Sequence, residues 1–161
     1  MSAPVIQIVG YKNAGKTTLL EQLIRNLSEA GYKVGTVKHD AHQFEVDHEG
    51  TDTWRHRRAG AAITAIASAA RTAIMAETGS SLDEILQHMQ GVDIVLVEGF
   101  KQERYPKIVM VRAEEDAELV RQLEHVAAVV SWNPEFTCDA AVFPIGDTQR
   151  LFEWMLREFL E

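Results

Sequence analysis

The chain has 161 residues, a formal net charge of −8 and 46% hydrophobic residues, which suits one domain, residues 1–161, with a core that needs no disulfide or metal staple. Its acidity argues against long-range attraction to nucleic acid polymers or anionic membranes, so an anionic ligand has to be captured locally. The only cysteine, Cys138, has no disulfide partner in the chain, and neither a secretory leader nor a bilayer-length apolar run is visible, so the expected location is the cytoplasm.

The first apolar run, residues 5–9, reads as a strand and leads directly into Gly10, Tyr11, Lys12, Asn13, Ala14, Gly15, Lys16 and Thr17. This is a complete G-x-x-x-x-G-K-[ST] phosphate loop. Its glycines let successive N–H groups converge on phosphate oxygens, the following helix start adds positive dipole, Lys16 neutralises β/γ charge, and Thr17 is placed to hold Mg²⁺. The helix that the motif requires is predicted over residues 17–30, with Leu19, Leu20, Leu23, Ile24 and Leu27 on one face and Gly31 as its C-cap.

A second strand, residues 34–37, ends at Lys38, His39 and Asp40. The segment to Gly50 is rich in metal-compatible side chains and reads as a loop where nucleotide switch regions lie. Asp47 or Asp40 is its candidate for Mg²⁺ or for orienting water, and His39, His42 and His48 are candidates for a transition metal of unspecific spacing. A helix over residues 52–59 follows, carrying Arg55, Arg57 and Arg58. Runs 61–67 and 72–76 are too close for a crossover and predict an antiparallel hairpin.

After a helix over 81–90, the run 94–97 ends at Glu98, in the manner of a Walker-B strand that brings one acid to the metal's water shell beside Thr17. Further strands are predicted at 108–111, 126–130 and 140–145, and helices at 114–123 and 147–160. The alternation gives an α/β fold, a P-loop NTPase-like three-layer α/β/α arrangement with a mainly parallel mixed sheet and one antiparallel hairpin. In such a sheet the ligand lies beyond the carboxyl ends of the strands. Base contacts are therefore expected from the loops at 131–134 and 144–147, although no Asn-Lys-x-Asp element is present to read guanine.

Three stretches taken together, the loop Gly10–Thr17, the run from Lys38-His39 through Asp47, Gly50, Asp52 and Arg58-Ala59-Gly60-Ala61, and Val97-Glu98-Gly99-Phe100-Lys101, resemble the molybdopterin-guanine dinucleotide biosynthesis protein B (MobB) family. The resemblance implies a GTP-binding homodimer with weak Mg²⁺-dependent GTPase activity that assists the guanylyltransferase joining GMP to molybdopterin, with molybdopterin itself a further candidate ligand. On this sequence the family's phosphate loop falls on Gly10 to Thr18, its Lys-His motif on Lys38 and His39, its switch aspartate on Asp47 and its Walker-B acid on Glu98. Lys16, Asp47 and Glu98 are then the catalytic candidates, and Thr17, Asp47 and Glu98 the metal candidates. Tyr11 departs from the related deviant Walker-A ATPases, which carry lysine after the first loop glycine. Two other readings stay open, a small-molecule kinase that clamps its substrate with Arg55, Arg57 and Arg58, and a metallochaperone GTPase that uses the histidine-rich loop.

Overall fold

The computed structural model describes residues 2–161. In chain order the elements are β1 (Val5–Val9), α1 (Lys16–Glu29), β2 (Val34–Lys38), α2 (Asp52–Arg58), β3 (Ile63–Ala67), β4 (Thr72–Ala76), α3 (Leu82–Leu86), β5 (Ile94–Glu98), β6 (Lys107–Val111), α4 (Ala117–Gln122), β7 (Val126–Ser131), β8 (Ala141–Pro144) and α5 (Thr148–Phe159). They form two compact units, one running through His39 and resuming at Ile85–Glu161, the other Asp40–Glu84.

The first unit is built on a six-stranded sheet of order β2-β5-β1-β6-β7-β8 in which every pairing is parallel. Strands buried on both faces are apolar along most of their length, and β5 and β6 are buried at all five positions, with their one charged residue each, Glu98 and Lys107, at a strand end. On one face Ile8, Leu96, Ile108, Met110 and Val130 pack with Leu19, Leu23 and Leu27 of α1 and Leu151 and Met155 of α5. On the other, Val9, Val109, Val111 and Val129 pack with Leu119 of α4. The 3.6-residue repeat expected along α1 is thus the face that is buried, and each such leucine contributes about 1.5–3 kcal/mol. Gly31 ends the helix at φ 92, where a side chain would be strained.

One connection of this sheet bears directly on the site. β1 lies between β5 and β6, so residues 99–106 must pass over it without a helix to help. Gln7, fully buried in β1, ties this crossover down by donating from Nε2 to the carbonyls of Gly99, at 3.0 Å, and Phe100. Both of those residues have positive φ, 92 and 54, which costs Phe100 strain that the surrounding bonds have to hold. Lys107, also buried, fastens the far end by donating from Nζ to the carbonyls of Glu103 and Tyr105.

The second unit holds the antiparallel hairpin, β3 with β4, in register from Ile63↔Ala76 to Ala67↔Thr72. The antiparallel pairing expected at residues 61–76 is therefore present as a two-stranded sheet of its own, and the main sheet is wholly parallel. Helix α2 is capped by Thr51, whose Oγ1 accepts from the Trp54 amide at 3.4 Å, and it buries none of its residues.

Two predicted helices are shorter than their apolar patterns suggest. The one expected over 81–90 closes after Leu86 into a turn, His88 and Met89 donating three residues back, before Gly91 at φ 78. The one expected over 114–123 is split into a 3-10 turn, Glu114–Asp116, and α4. The cause is Asp116, whose Oδ2 accepts from the amides of Arg112 and Ala113 at 2.8 and 2.9 Å and so fixes a corner instead of a helical start.

Candidate functional site

The phosphate loop sits at the carboxyl end of the central strand β1, between β5 and β6, and continues into α1. Its shape depends on residues that other types cannot replace. A Cβ at Gly10 would come within 3.2 Å of the Met110 Cβ and 3.3 Å of the Met110 carbonyl on β6, and Gly15 adopts φ 95 at the N-cap of α1. Asn13 takes the left-handed region as well, at φ 64. Two donors from neighbouring strand ends hold this stretch: Arg112, just past β6, donates from Nη1 to the Asn13 carbonyl at 2.6 Å, and Trp132, just past β7, donates from Nε1 to the Ala14 carbonyl at 3.1 Å. Their own side chains stack, with the guanidinium 5.0 Å from the indole centroid. Because the carbonyl and amide of one peptide point to opposite sides, anchoring the Ala14 carbonyl turns the Gly15 N–H the other way.

Lys16 donates from Nζ to the carbonyls of Gly10 and Tyr11 at 2.8 and 2.9 Å, closing the loop on itself. Its pKa lies below the ordinary lysine value, chiefly because burial disfavours the ammonium and further because Lys38 and Lys101 stand nearby; Glu98 opposes the shift. An ammonium under that stress gains from a polyanion. Lys101, on the 99–106 crossover, also lies over the Tyr11 ring at 5.9 Å.

Glu98 ends β5 and is 7% exposed. Its Oε1 accepts from Thr17 Oγ1 at 3.3 Å and from Lys38 Nζ at 3.1 Å. Thr17, Lys38 and Glu98 are thus brought together from α1, β2 and β5; of the expected metal candidates Thr17, Asp47 and Glu98, these contacts join Thr17 and Glu98. His39 follows Lys38, its amide donating to the Glu98 carbonyl at 2.9 Å and its ring lying 4.5 Å from that of Phe100. Close approach is possible only because residue 99 is glycine, whose Cβ would stand 3.0 Å from that of His39. Tyr11, Lys12, Thr17 and Thr18 are exposed on the same loop and helix start, and Ala14 is buried beneath them.

Asp47 belongs to the second unit, and its partners are there. Oδ1 accepts from Thr51 and Thr53 Oγ1, each at 3.1 Å, and from the His48 amide at 3.0 Å, while Oδ2, buried and without a hydrogen bond, faces Arg57 Nη1 at 3.7 Å. Burial alone would raise its pKa, but the bonds from Thr53, His48 and Thr51 and the charge of Arg57 outweigh it and the value is lowered. Arg57 also donates to Glu45 at 2.5 Å and to Glu77 at 2.6 Å. It is therefore committed to three carboxylates and not free to clamp a substrate as the kinase reading requires. Arg58 lies over the Trp54 ring at 5.7 Å. Among the described residues, no three His, Cys, Asp or Glu side chains converge as a metal-binding group, and no helix is long and apolar enough to cross a membrane.

Sequence reasoning missed Gln7 and Arg112, and it named Lys101 within the third family stretch without giving it a role. Arg112 was within reach of the rule that named its neighbours, since it directly follows a strand; Gln7 carries no such signal beyond being the one polar residue in an apolar run.

Comparison with known proteins agrees with this fold. Residues 5–132 match the family described as molybdopterin guanine dinucleotide synthesis protein B, MobB. The chain is 44% identical over 135 residues to the molybdopterin-guanine dinucleotide biosynthesis adapter protein of Haemophilus influenzae, covering 81% of this chain and 76% of that one. It is 38% identical over 168 residues to the protein of the same name from Escherichia coli, covering 96% and 95%. Among solved structures, Bacillus subtilis MobB superposes with a TM-score of 0.81 at 31% identity over 97% of this chain and 98% of that one. A MobB homolog from Bacillus stearothermophilus gives 0.78 at 34% identity over 96% and 97%.

Proposed function

We propose, from the premise that the chain belongs to the MobB family, that it is a GTP-binding adapter of molybdopterin guanine dinucleotide biosynthesis, with slow Mg²⁺-dependent GTPase activity at most. The curated relatives from H. influenzae and E. coli are named as adapter proteins of that biosynthesis. The guanylyltransferase of the same biosynthesis is the proposed partner, with molybdopterin as a further ligand, in a homodimeric cytoplasmic protein.

The observation that carries the reading is the junction of a complete phosphate loop with the Thr17–Glu98 pair. The residues suit Mg²⁺, which takes few protein ligands and prefers hydroxyl and carboxylate oxygens: Thr17 Oγ1 and Glu98 Oε1 already stand 3.3 Å apart. When bound, such an ion neutralises charge on the phosphoryl oxygens. Loop amides from Asn13 to Lys16 bind the phosphates, Lys16 gives up its loop carbonyls to neutralise them, and Lys38 and His39 flank the terminal phosphate. Asp47, the switch and third metal candidate of the sequence, is proposed for the switch role alone, since its own unit supplies its partners Thr51, Thr53, His48 and Arg57. No arginine of the phosphate-loop unit is offered to the terminal phosphate in this reading, in keeping with slow turnover.

Homodimerisation is favoured by the hairpin, where Ile63, Ile66 and Ile74 are 66%, 54% and 67% exposed. Apolar side chains so displayed on a two-stranded sheet call for a cover. The test of the whole reading is calorimetric titration of GTP with Mg²⁺ into the wild type and Lys16→Ala. Binding in the first and loss in the second are expected; equal binding in both would overturn it.

A further inference from the structure

The 99–106 crossover does more than join β5 to β6. It leaves β5 at Glu98 through two residues in the left-handed region, Gly99 and Phe100, and a phenylalanine stays there only while its surroundings hold it. Gln7, fully buried in β1, supplies that hold through its Nε2 bonds to both carbonyls, and the Phe100 ring rests against that of His39 at 4.5 Å. The next residue, Lys101, is thereby delivered to the phosphate loop, where its Nζ lies 5.9 Å from the centroid of the Tyr11 ring.

Lys16 from α1, Lys38 from β2 and Lys101 from the crossover thus gather their ammonium groups at one end of the site, with the carboxylate of Glu98 among them. Two of them are engaged: Lys16 donates to the carbonyls of Gly10 and Tyr11, and Lys38 donates to Glu98. Lys101 is exposed, and among the described residues no carboxylate pairs with it. Its contact with the Tyr11 ring is at the outer edge of a cation–π interaction and, on a solvent-open side chain, is weaker than a charge-assisted bond to a phosphate oxygen. Burial is the main reason that the Lys16 pKa is lowered, and the charges of Lys38 and Lys101 lower it further. The cluster therefore carries an excess of positive charge that a polyanion relieves.

We infer that Lys101 is a binding residue for the terminal phosphate of the nucleotide, held against the Tyr11 ring until the phosphate draws it off, and that Gln7 positions the crossover for this exchange. The inference rests on the phosphate loop binding a triphosphate, as proposed above. Lys101 follows closely on Glu98, and the approach of Gly99 to His39 sets the crossover beside Lys38 and His39, the pair assigned there to the terminal phosphate. The flexible lysine stem lets the ammonium change partner without a move of the backbone. A lysine on the crossover supplies a cation from outside the loop, in the place where an arginine finger acts in faster enzymes.

The experiment compares GTP with GDP, each with Mg²⁺, by calorimetry on the full chain. Lys101→Met, at an exposed position that should leave the melting temperature as it is, is expected to weaken GTP about tenfold more than it weakens GDP, as loss of one charge-assisted bond to the extra phosphate does. Lys101→Arg, which keeps the charge, should retain most of the preference for GTP. Gln7→Leu frees the crossover and should weaken GTP severalfold in the wild-type background but not in Lys101→Met, a coupling that a merely structural role would not produce. GTP affinity unchanged in Lys101→Met, equal losses of GTP and GDP, or an arginine variant as weak as the methionine one would overturn the assignment of Lys101 while leaving the phosphate loop in place. A Gln7→Leu loss of the same size in both backgrounds would overturn its positioning role. Wild type that binds neither nucleotide would overturn the underlying reading as well.

Discussion

The two units of this chain are held together by opposite means. The phosphate-loop unit closes on apolar contact: four leucines of α1 are buried, and its sheet is covered by hydrophobic clusters on both faces. In the Asp40–Glu84 unit, α2 has no fully buried residue, isoleucines stand in the open, and the tightest contacts run from one guanidinium, Arg57, to Glu45 and Glu77, with Asp47 facing it at 3.7 Å. A unit closed by apolar packing can hold a loop in left-handed conformations; one closed by charge can be loosened by whatever competes for that charge.

Several measurements would break or sharpen this contrast. The largest effect is expected from Lys16→Ala, which should weaken GTP by roughly a thousandfold or more, as loss of charge-assisted bonds to phosphate does, without touching the melting of the hairpin unit. Next, Leu23→Ala should cost about 2–5 kcal/mol of stability in denaturant unfolding, the range for a cavity in a packed core, since Leu23 is fully buried. Glu98→Gln should weaken the Mg²⁺ dependence of GTP binding by roughly tenfold, and a variant with wild-type dependence would remove Glu98 from the metal assignment.

A fourth test separates the units by pH. Glu45, held by the Arg57 hydrogen bond, Asp47 as described above, and Glu84, held by the Ser81 amide and hydroxyl, all have lowered pKa values in the fold. Their stabilisation is therefore complete above the unfolded carboxylate range of about 4 to 4.5 and is lost as pH falls through the lower folded values. Hydrogen-exchange protection of β3 and β4 amides should drop before that of β1 and β6 as pH falls below about 4, and Arg57→Met should shrink the difference to the part that Ser81 and the threonines maintain. The smallest effect is expected of Trp132→Phe, which removes one hydrogen bond to the Ala14 carbonyl and should cost about 1 kcal/mol in tripolyphosphate binding.

What the sequence made legible follows the same division. Apolar runs and the 3.6-residue stripe gave the six strands and α1 because burial on both faces leaves a periodic trace. The loop from Gly10 to Thr17 and the acid at Glu98 were readable because their chemistry demands fixed spacing after a strand. The second unit was harder. A hairpin could be inferred from the short gap between its strands, but Arg57 looked like any other basic residue of its helix, since nothing local tells which of Arg55, Arg57 and Arg58 will meet acids at positions 45, 47 and 77. Arg112 and Gln7 escaped for a related reason: each acts through a backbone carbonyl that is distant in sequence, and carbonyls have no letter in the alphabet. The early end of the helix after Ser81 and the split before α4 were likewise invisible to periodicity, which does not register a side chain such as Asp116 capturing amides behind it.

The contact between Lys38 and Glu98 has one more consequence. With 61% of the lysine side chain open to solvent and 9% of the acid's, the ammonium serves as a removable plug on a carboxylate that would otherwise sit desolvated beside Thr17. On the proposed function, Thr17 and Glu98 would hold a divalent ion, and Lys38, once released from Glu98, would be available to the incoming anion. Cation exchange and phosphate capture are then a single event, and metal without nucleotide should find the seat already taken.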